Sequence, residues 1–186
     1  MIKQEQISPS ELLLHCCCAP CSAPILEWLL NNGFKPVLFF YNPNIYPIEE
    51  YEKRKNELIK YADKLGVEYI DGDYDHTEWL KCVCGHELDK ERGERCLLCF
   101  TMRLKHTAEV AAERGIKLIA TTLASSRWKS LEQIEKAGLE AVAPYPDIKF
   151  WARNWRKDGL QDRRRILLAQ NGFYNQTYCG CEFSVM

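Results

Sequence analysis

Glu11-Leu12-Leu13-Leu14-His15-Cys16-Cys17-Cys18-Ala19-Pro20-Cys21 joins three leucines to a run of thiols and then a proline. A short apolar run of this kind reads as a strand buried on both faces, and Pro20 falls where a following helix would begin. Comparable runs recur at 36–41, 67–70, 117–121 and 140–143, with stretches of helical composition between them. Gly33, Gly66, Gly115, Gly138 and Gly172 each follow such a stretch, where a left-handed residue stops a helix. The alternation predicts an α/β fold: a mostly parallel sheet with helices on both faces. Ligands of open parallel sheets lie beyond the carboxyl ends of the strands, so a cysteine-rich site is predicted at that edge, where the first strand runs into its thiols.

The chain has 186 residues, 46% of them hydrophobic, which predicts a single domain spanning 1–186. It holds 25 basic and 26 acidic residues, so any surface for nucleic acid must be local. No apolar run approaches the roughly 18 residues of a membrane span, and the stretch from Met1 to Glu11 lacks the layout of a signal peptide. A cytoplasmic protein without a membrane partner is expected.

Ten cysteines are grouped as Cys16, Cys17, Cys18 and Cys21; Cys82 and Cys84; Cys96 and Cys99; Cys179 and Cys181. Cytosolic thiols are kept reduced, so metal binding or redox chemistry is favoured over a disulfide framework. Cys96 and Cys99 open a long predicted helix toward Arg114 and share one face at i,i+3 spacing, so one metal centre can touch both. The positive end of that helix, with Arg92, Arg95 and Arg103, would favour thiolates there. Cys179-Gly180-Cys181 can form a strained, reducible disulfide or bind a metal ion. The aromatic residues around that pair, Phe173, Tyr174, Tyr178 and Phe183, predict that the segment docks.

These groups belong to an ordered set of motifs. His15-Cys16-Cys17-Cys18-Ala19-Pro20-Cys21-Ser22, Asn42-Pro43-Asn44-Ile45-Tyr46-Pro47, Glu91-Arg92-Gly93-Glu94-Arg95-Cys96-Leu97-Leu98-Cys99-Phe100, Thr121-Thr122-Leu123 and Tyr178-Cys179-Gly180-Cys181-Glu182-Phe183-Ser184 resemble, in order, those of the QueH-type epoxyqueuosine reductases. The resemblance implies a Rossmann-like (HUP-like) fold, a [4Fe–4S] cluster, and cobalamin-independent reduction of the epoxide of epoxyqueuosine in a tRNA anticodon to give queuosine. Residue by residue, it implies that Cys17, Cys18, Cys96 and Cys99 hold the cluster and that Cys179 and Cys181 are the catalytic redox pair. Adjacent strand residues point to opposite faces, so Cys17 and Cys18 can share a cluster only if the chain has already turned.

Cys21 either joins Cys179 and Cys181 around a second, single iron or zinc ion or caps the following helix. Cys16 reads as a core thiol. Cys82-Val83-Cys84-Gly85-His86 offers only three ligands and reads as a surface loop. His15 is read either as a donor to the cluster or substrate, or as a satisfied buried histidine. Asn42, Asn44 and Tyr46 are candidates to contact the modified base.

Residues 149–165 carry seven basic residues against two acidic ones, interleaved with Phe150, Trp151 and Trp155. Arg153, Arg156, Arg163, Arg164 and Arg165 are therefore expected to bind tRNA phosphates, with the tryptophans stacking on bases. The alternatives are a solvated helix face for the arginines and core packing for the tryptophans, with Arg127, Trp128 and Lys129 as the next RNA surface to test. An external electron donor of unstated identity is required. Two other classes fit parts of the pattern: a thioredoxin-like disulfide oxidoreductase using Cys18-Ala19-Pro20-Cys21, and a non-catalytic, zinc-stabilised RNA-binding module.

Overall fold

The structure, a computed structural model, describes residues 7–184. The first six residues of the stretch read for targeting lie outside the described residues, as do Val185 and Met186. Strands β1 (Glu11–His15), β2 (Lys35–Phe40), β3 (Tyr69–Asp71), β4 (Leu118–Thr121) and β5 (Lys149–Phe150) alternate with helices α1 (Ala19–Asn31), α2 (Ile48–Leu65), α3 (His76–Cys82), α4 (Glu94–Arg114), α5 (Leu131–Val142) and α6 (Leu160–Asn171). No helix among the described residues is long and apolar enough to cross a membrane.

All four strand pairings are parallel, in the order β3-β2-β1-β4-β5. Leu12, Leu13 and Leu14 are fully buried at the centre, where Leu13 pairs with Val37 on one side and Ile119 on the other. A strand covered on both faces gains from apolar residues at every position, which is why the leucine run is continuous. Helix α1 packs against α2 and α6, and α4 packs against α5. The chain adds strands in one direction from β1, then returns to add β4 and β5 on its other side. Strand order therefore reverses between β1 and β4, and the crevice at their carboxyl ends is the expected ligand site.

Two expectations are corrected. Residues 140–143 are not a strand but the end of α5, and the fifth strand is β5. Ser130 caps α5 by accepting from the Gln133 N–H at 3.2 Å, and the buried Ile134, Ala137, Gly138 and Ala141 follow helical spacing. A short apolar run looks the same at the end of a helix as in a strand. Gly138 likewise does not stop a helix: it lies inside α5, where a Cβ would overlap the Phe150 ring. Gly33, Gly66, Gly115 and Gly172 all have positive φ, as expected at helix ends.

Trp151 and Trp155 are core residues rather than exposed stacking faces. They pack with Trp28 and Phe34, and Trp155 is fully buried. In this segment the apolar spacing served the core, not a ligand.

Gly138→Ala is expected to destabilise the fold by roughly 1–3 kcal/mol through overpacking against Phe150. Urea denaturation would show it as a lower midpoint at unchanged slope.

Candidate functional site

Beyond β1 the chain turns at once. The Cys16 N–H donates to Phe39 O at 2.8 Å, the Cys16 carbonyl accepts from Asn42 Nδ2 at 2.9 Å, and Cys18 is the extended residue that precedes α1. The turn brings the Cys17 and Cys18 sulfurs to 3.8 Å, and the Cys21 sulfur, on the first turn of α1, joins them. All three lie within 4.8 Å of one another and can hold a metal ion. Thr122, just past β4, accepts from the Cys17 N–H at 3.3 Å and donates to its sulfur at 3.5 Å. Gln176 Nε2 lies 2.7 Å from the Cys18 sulfur.

His15 resolves as a satisfied buried histidine. Its Nε2–H donates to the Tyr41 carbonyl at 3.1 Å, so Nδ1 accepts from the Thr121 hydroxyl at 2.8 Å. Burial, aided by Arg103, lowers its pKa to about 3, so the ring stays neutral. With both nitrogens engaged, it cannot also serve a cluster sulfur or a substrate. Cys16 is a fully buried core thiol that donates to Leu14 O, and burial holds it far above the ordinary thiol range.

The three clustered thiols share charge unequally. Hydrogen bonds from Cys18 and Cys21 hold Cys17 well below the usual range despite burial, with Lys129 and Arg103 adding to the effect. Burial keeps Cys18 protonated, and the bond to Cys17 pushes Cys21 up to about 11. One thiolate stabilised by two thiols is the resting arrangement these contacts favour. Desolvation would lower the Lys129 ammonium, but the sulfurs of Cys179, Cys17 and Cys21 more than offset it and hold the group charged.

Cys96 and Cys99 sit in the first two turns of α4, as expected. The predicted preference for thiolates there is outweighed: burial pushes both thiols up, against the Arg92 N–H that donates to Cys96 at 3.3 Å and the Arg103 charge beside Cys99. Arg95 points elsewhere, donating to the His86 and Glu87 carbonyls. Arg103 is buried, donating to Asn42 Oδ1 and lying 3.9 Å from the Cys99 sulfur.

The carboxyl-terminal segment is strapped over this region. Arg54 donates to the carbonyls of Cys179 and Tyr178 at 3.2 and 3.3 Å, the Tyr46 N–H donates to Gly180 O, and Tyr178 OH donates to Tyr46 O. His76 links Pro43 O to Glu182. Cys181 packs with Cys99, Trp79 and Val83, and burial pushes its thiol up to about 12. Gly180 has a φ of 100°, and a Cβ there would meet Ile45 Cγ1 at 2.8 Å.

A cavity of about 770 Å³ opens at this edge of the sheet. Cys17, Cys21, Cys96 and Cys179, from three of the sequence groups, face it together. Eight arginine and lysine side chains line it against one carboxylate, Glu91. Of the arginines expected to bind phosphate, Arg156, Arg164 and Arg165 are among them. Arg153 instead lies over the Trp28 ring at 3.9 Å and pairs with Asp158, and Arg163 makes a two-point ion pair with Glu27 at 2.6 and 2.9 Å. Asn42 is consumed by Arg103 and Cys16, whereas Asn44 is buried in the cavity wall with its Oδ1 unpartnered among the described residues. In the Cys82–His86 loop Cys84 is exposed, Cys82 faces Leu98 O, and His86 pairs with Asp89 at 3.0 Å.

Sequence reasoning assigned no individual role to Thr122, Gln176 or Arg54. Arg54 sits mid-helix among charged residues, where nothing marks it as buried. Thr122 lay inside a recognised motif and could have been suspected from its place after β4.

An all-parallel, doubly wound sheet with clustered thiols at its switch point defines an α/β protein with a thiol-based metal or redox site. Residues 12–186 match the family described as epoxyqueuosine reductase QueH, and the chain belongs to that family of oxidoreductases. It is 46% identical over 175 residues to the epoxyqueuosine reductase QueH of Acinetobacter baylyi, covering 94% of this chain and 80% of that protein. The Haemophilus influenzae protein of the same name is 43% identical over 95% of this chain and 72% of its own length. That of Thermotoga maritima is 35% identical over 94% of this chain and 90% of its own. The thioredoxin-like alternative is set aside with this membership. It would also need an accessible thiolate at Cys18, which is buried and held protonated.

Two outcomes are expected. Gly180→Ala should loosen the strap, seen as faster alkylation of Cys181 with little change in the far-ultraviolet spectrum. Because the unfolded chain protonates His15 below about 6.5 while the folded chain resists until about 3, stability falls with pH through that window. The His15 contribution amounts to about 2 kcal/mol between pH 6.5 and 5, measurable by urea titration against His15→Gln.

Proposed function

We propose that this protein reduces the epoxide of epoxyqueuosine in a tRNA anticodon to give queuosine, in the cytoplasm and with an external electron donor. The reaction breaks both epoxide C–O bonds and forms a C=C bond. Two electrons and two protons are consumed, and the oxygen leaves as water. The observation that carries this reading is the basic cavity into which Cys17, Cys21, Cys96 and Cys179 converge. A polyanionic RNA and an anionic cluster are both favoured there, since eight cations face a single carboxylate in a confined volume.

We assign Cys17, Cys18, Cys96 and Cys99 to a [4Fe–4S] cluster. Cys17 and Cys18, two of the three clustered thiols, and Cys96 and Cys99 at the amino-terminal end of α4, with Cys17 and Cys96 on the same cavity wall, suit such a group. When bound, the cluster would supply electrons one at a time. Metal binding deprotonates thiols, so the burial that now keeps Cys96 and Cys99 protonated would be offset by the metal charge. Cys179 and Cys181 are assigned as the catalytic redox pair; Cys21, their proposed partner around a second iron or zinc ion, is clustered with Cys17 and Cys18.

The chain's own groups then have separable tasks. Lys129, kept charged beside the sulfurs, is positioned to donate a hydrogen bond or proton toward the cavity. The buried, unpartnered Asn44 Oδ1 offers an acceptor for a substrate N–H or O–H, and buried acceptors of this kind discriminate strongly for a matching donor. Arg156, Arg164 and Arg165 hold phosphates at the rim.

Anaerobically purified protein should be brown. Single replacement of Cys17, Cys18, Cys96 or Cys99 by Ser should lower iron and acid-labile sulfide, and a full complement in any variant would remove that residue from the set. Cys21→Ser belongs in the series because its sulfur lies within 4.8 Å of Cys17 and Cys18. Cys179→Ser should retain the visible absorption and lose epoxide reduction; normal turnover would refute its catalytic role. Colourless protein lacking iron would instead favour the zinc-stabilised RNA-binding module.

A further inference from the structure

Trp128 stands out among the five tryptophans. It is 64% exposed, whereas Trp79, Trp151 and Trp155 are buried and Trp28 is largely covered by the core. Trp128 lines the basic cavity. A single exposed apolar side chain is ordinary on a protein surface; what sets this indole apart is its place among the eight cations that line the cavity.

The surrounding backbone is held with unusual care. Arg92 donates from Nε to the Trp128 carbonyl and from Nη2 to the Arg127 carbonyl, both at 2.9 Å. Arg156 donates to the carbonyls of Ser126 and Lys129 on either side, and the Trp128 N–H donates to Ser126 Oγ. Two arginines thus fix four consecutive carbonyls, 126 to 129. Arg92 itself has a φ of 67°, a region disfavoured for a residue with a side chain. From that conformation its N–H reaches the Cys96 sulfur at 3.3 Å while its carbonyl accepts from Gln133. One residue therefore ties a thiol of the site to the loop that presents the indole. The Arg127 guanidinium lies 4.8 Å from the Trp128 ring centre, adding a cation at the edge of the exposed face.

A rigid, exposed aromatic face rimmed by cations is the arrangement that stacks an unpaired base while neighbouring phosphates are neutralised. We propose that Trp128 is the stacking platform for an unpaired nucleobase of single-stranded RNA at the cavity mouth, beside the nucleotide that enters it. This rests on the reading of the substrate as an anticodon loop, and it moves the stacking role from Trp151 and Trp155 to Trp128. Because Arg92 and Arg156 fix the loop beforehand, stacking costs little ordering entropy.

The test uses the full chain purified anaerobically and a synthetic anticodon stem–loop RNA without the modified base. The RNA should shield the acrylamide-quenchable fluorescence of the wild type, since Trp128 is its exposed indole. Trp128→Ala should weaken binding roughly 5- to 150-fold with unchanged iron content and unchanged salt dependence. Trp128→Phe should stay within a few-fold of the wild type. Wild-type affinity in Trp128→Ala would overturn the proposal, and so would the absence of RNA binding by the wild type. Turnover of epoxyqueuosine-containing tRNA is scored separately. A wild type that binds the stem–loop through Trp128 but cannot reduce the epoxide refutes the proposed reaction and leaves the platform standing. Normal turnover with an indifferent Trp128 does the reverse.

Discussion

A strand continued past His15 would send the side chains of Cys17 and Cys18 to opposite faces of the sheet, and no single group could touch both sulfurs. The chain escapes that constraint by ending β1 at His15 and turning within the next three residues. Four groups around the turn are held from outside it: the Cys16 N–H by Phe39, its carbonyl by Asn42, the His15 ring by Tyr41 and Thr121, and the Cys17 N–H by Thr122. These partners come from β2, β4 and the loops that follow them. The turn can hold only because the strand order places β2 and β4 on either side of β1.

Electrostatics then set the character of the site. Burial raises the thiols of Cys18, Cys96, Cys99 and Cys181; Arg103 opposes it at Cys99, and the Arg92 N–H and Arg95 oppose it at Cys96. Only Cys17, with two thiols donating to it, is tipped toward the thiolate. The excess of cations along the cavity is thus only partly matched by negative charge on the protein. That imbalance favours anions in the cavity, whether metal-bound thiolates or phosphate.

The carboxyl-terminal segment completes the enclosure through backbone groups. Arg54, buried in α2 and paired with Glu50, spends two guanidinium hydrogens on carbonyls of the Cys179 strap. Gly180 is needed because Ile45 and Arg54 occupy the space a Cβ would take. Cys181 thereby enters an apolar cluster with Cys99, and Cys179 faces the cavity beside Cys96.

Hydrophobic runs, helix-ending glycines and clustered thiols were enough to determine an α/β sheet with cysteines at its carboxyl edge, because burial on two faces and left-handed helix ends leave local marks. Residues 140–143 and Gly138 escaped that reading because a helix end and a strand share the same short apolar pattern. The neighbours of a thiol leave no local mark. That Cys99 lies with Cys181, and that Arg153 and Arg163 are occupied by Trp28 and Glu27, depended on contacts spanning up to 136 positions of chain. The aromatic residues show the same division. Sequence marked Trp151 and Trp155, and after them Trp128, by their basic neighbours, but only tertiary packing decides which indole is covered, and it covered the first two while leaving Trp128 in the water.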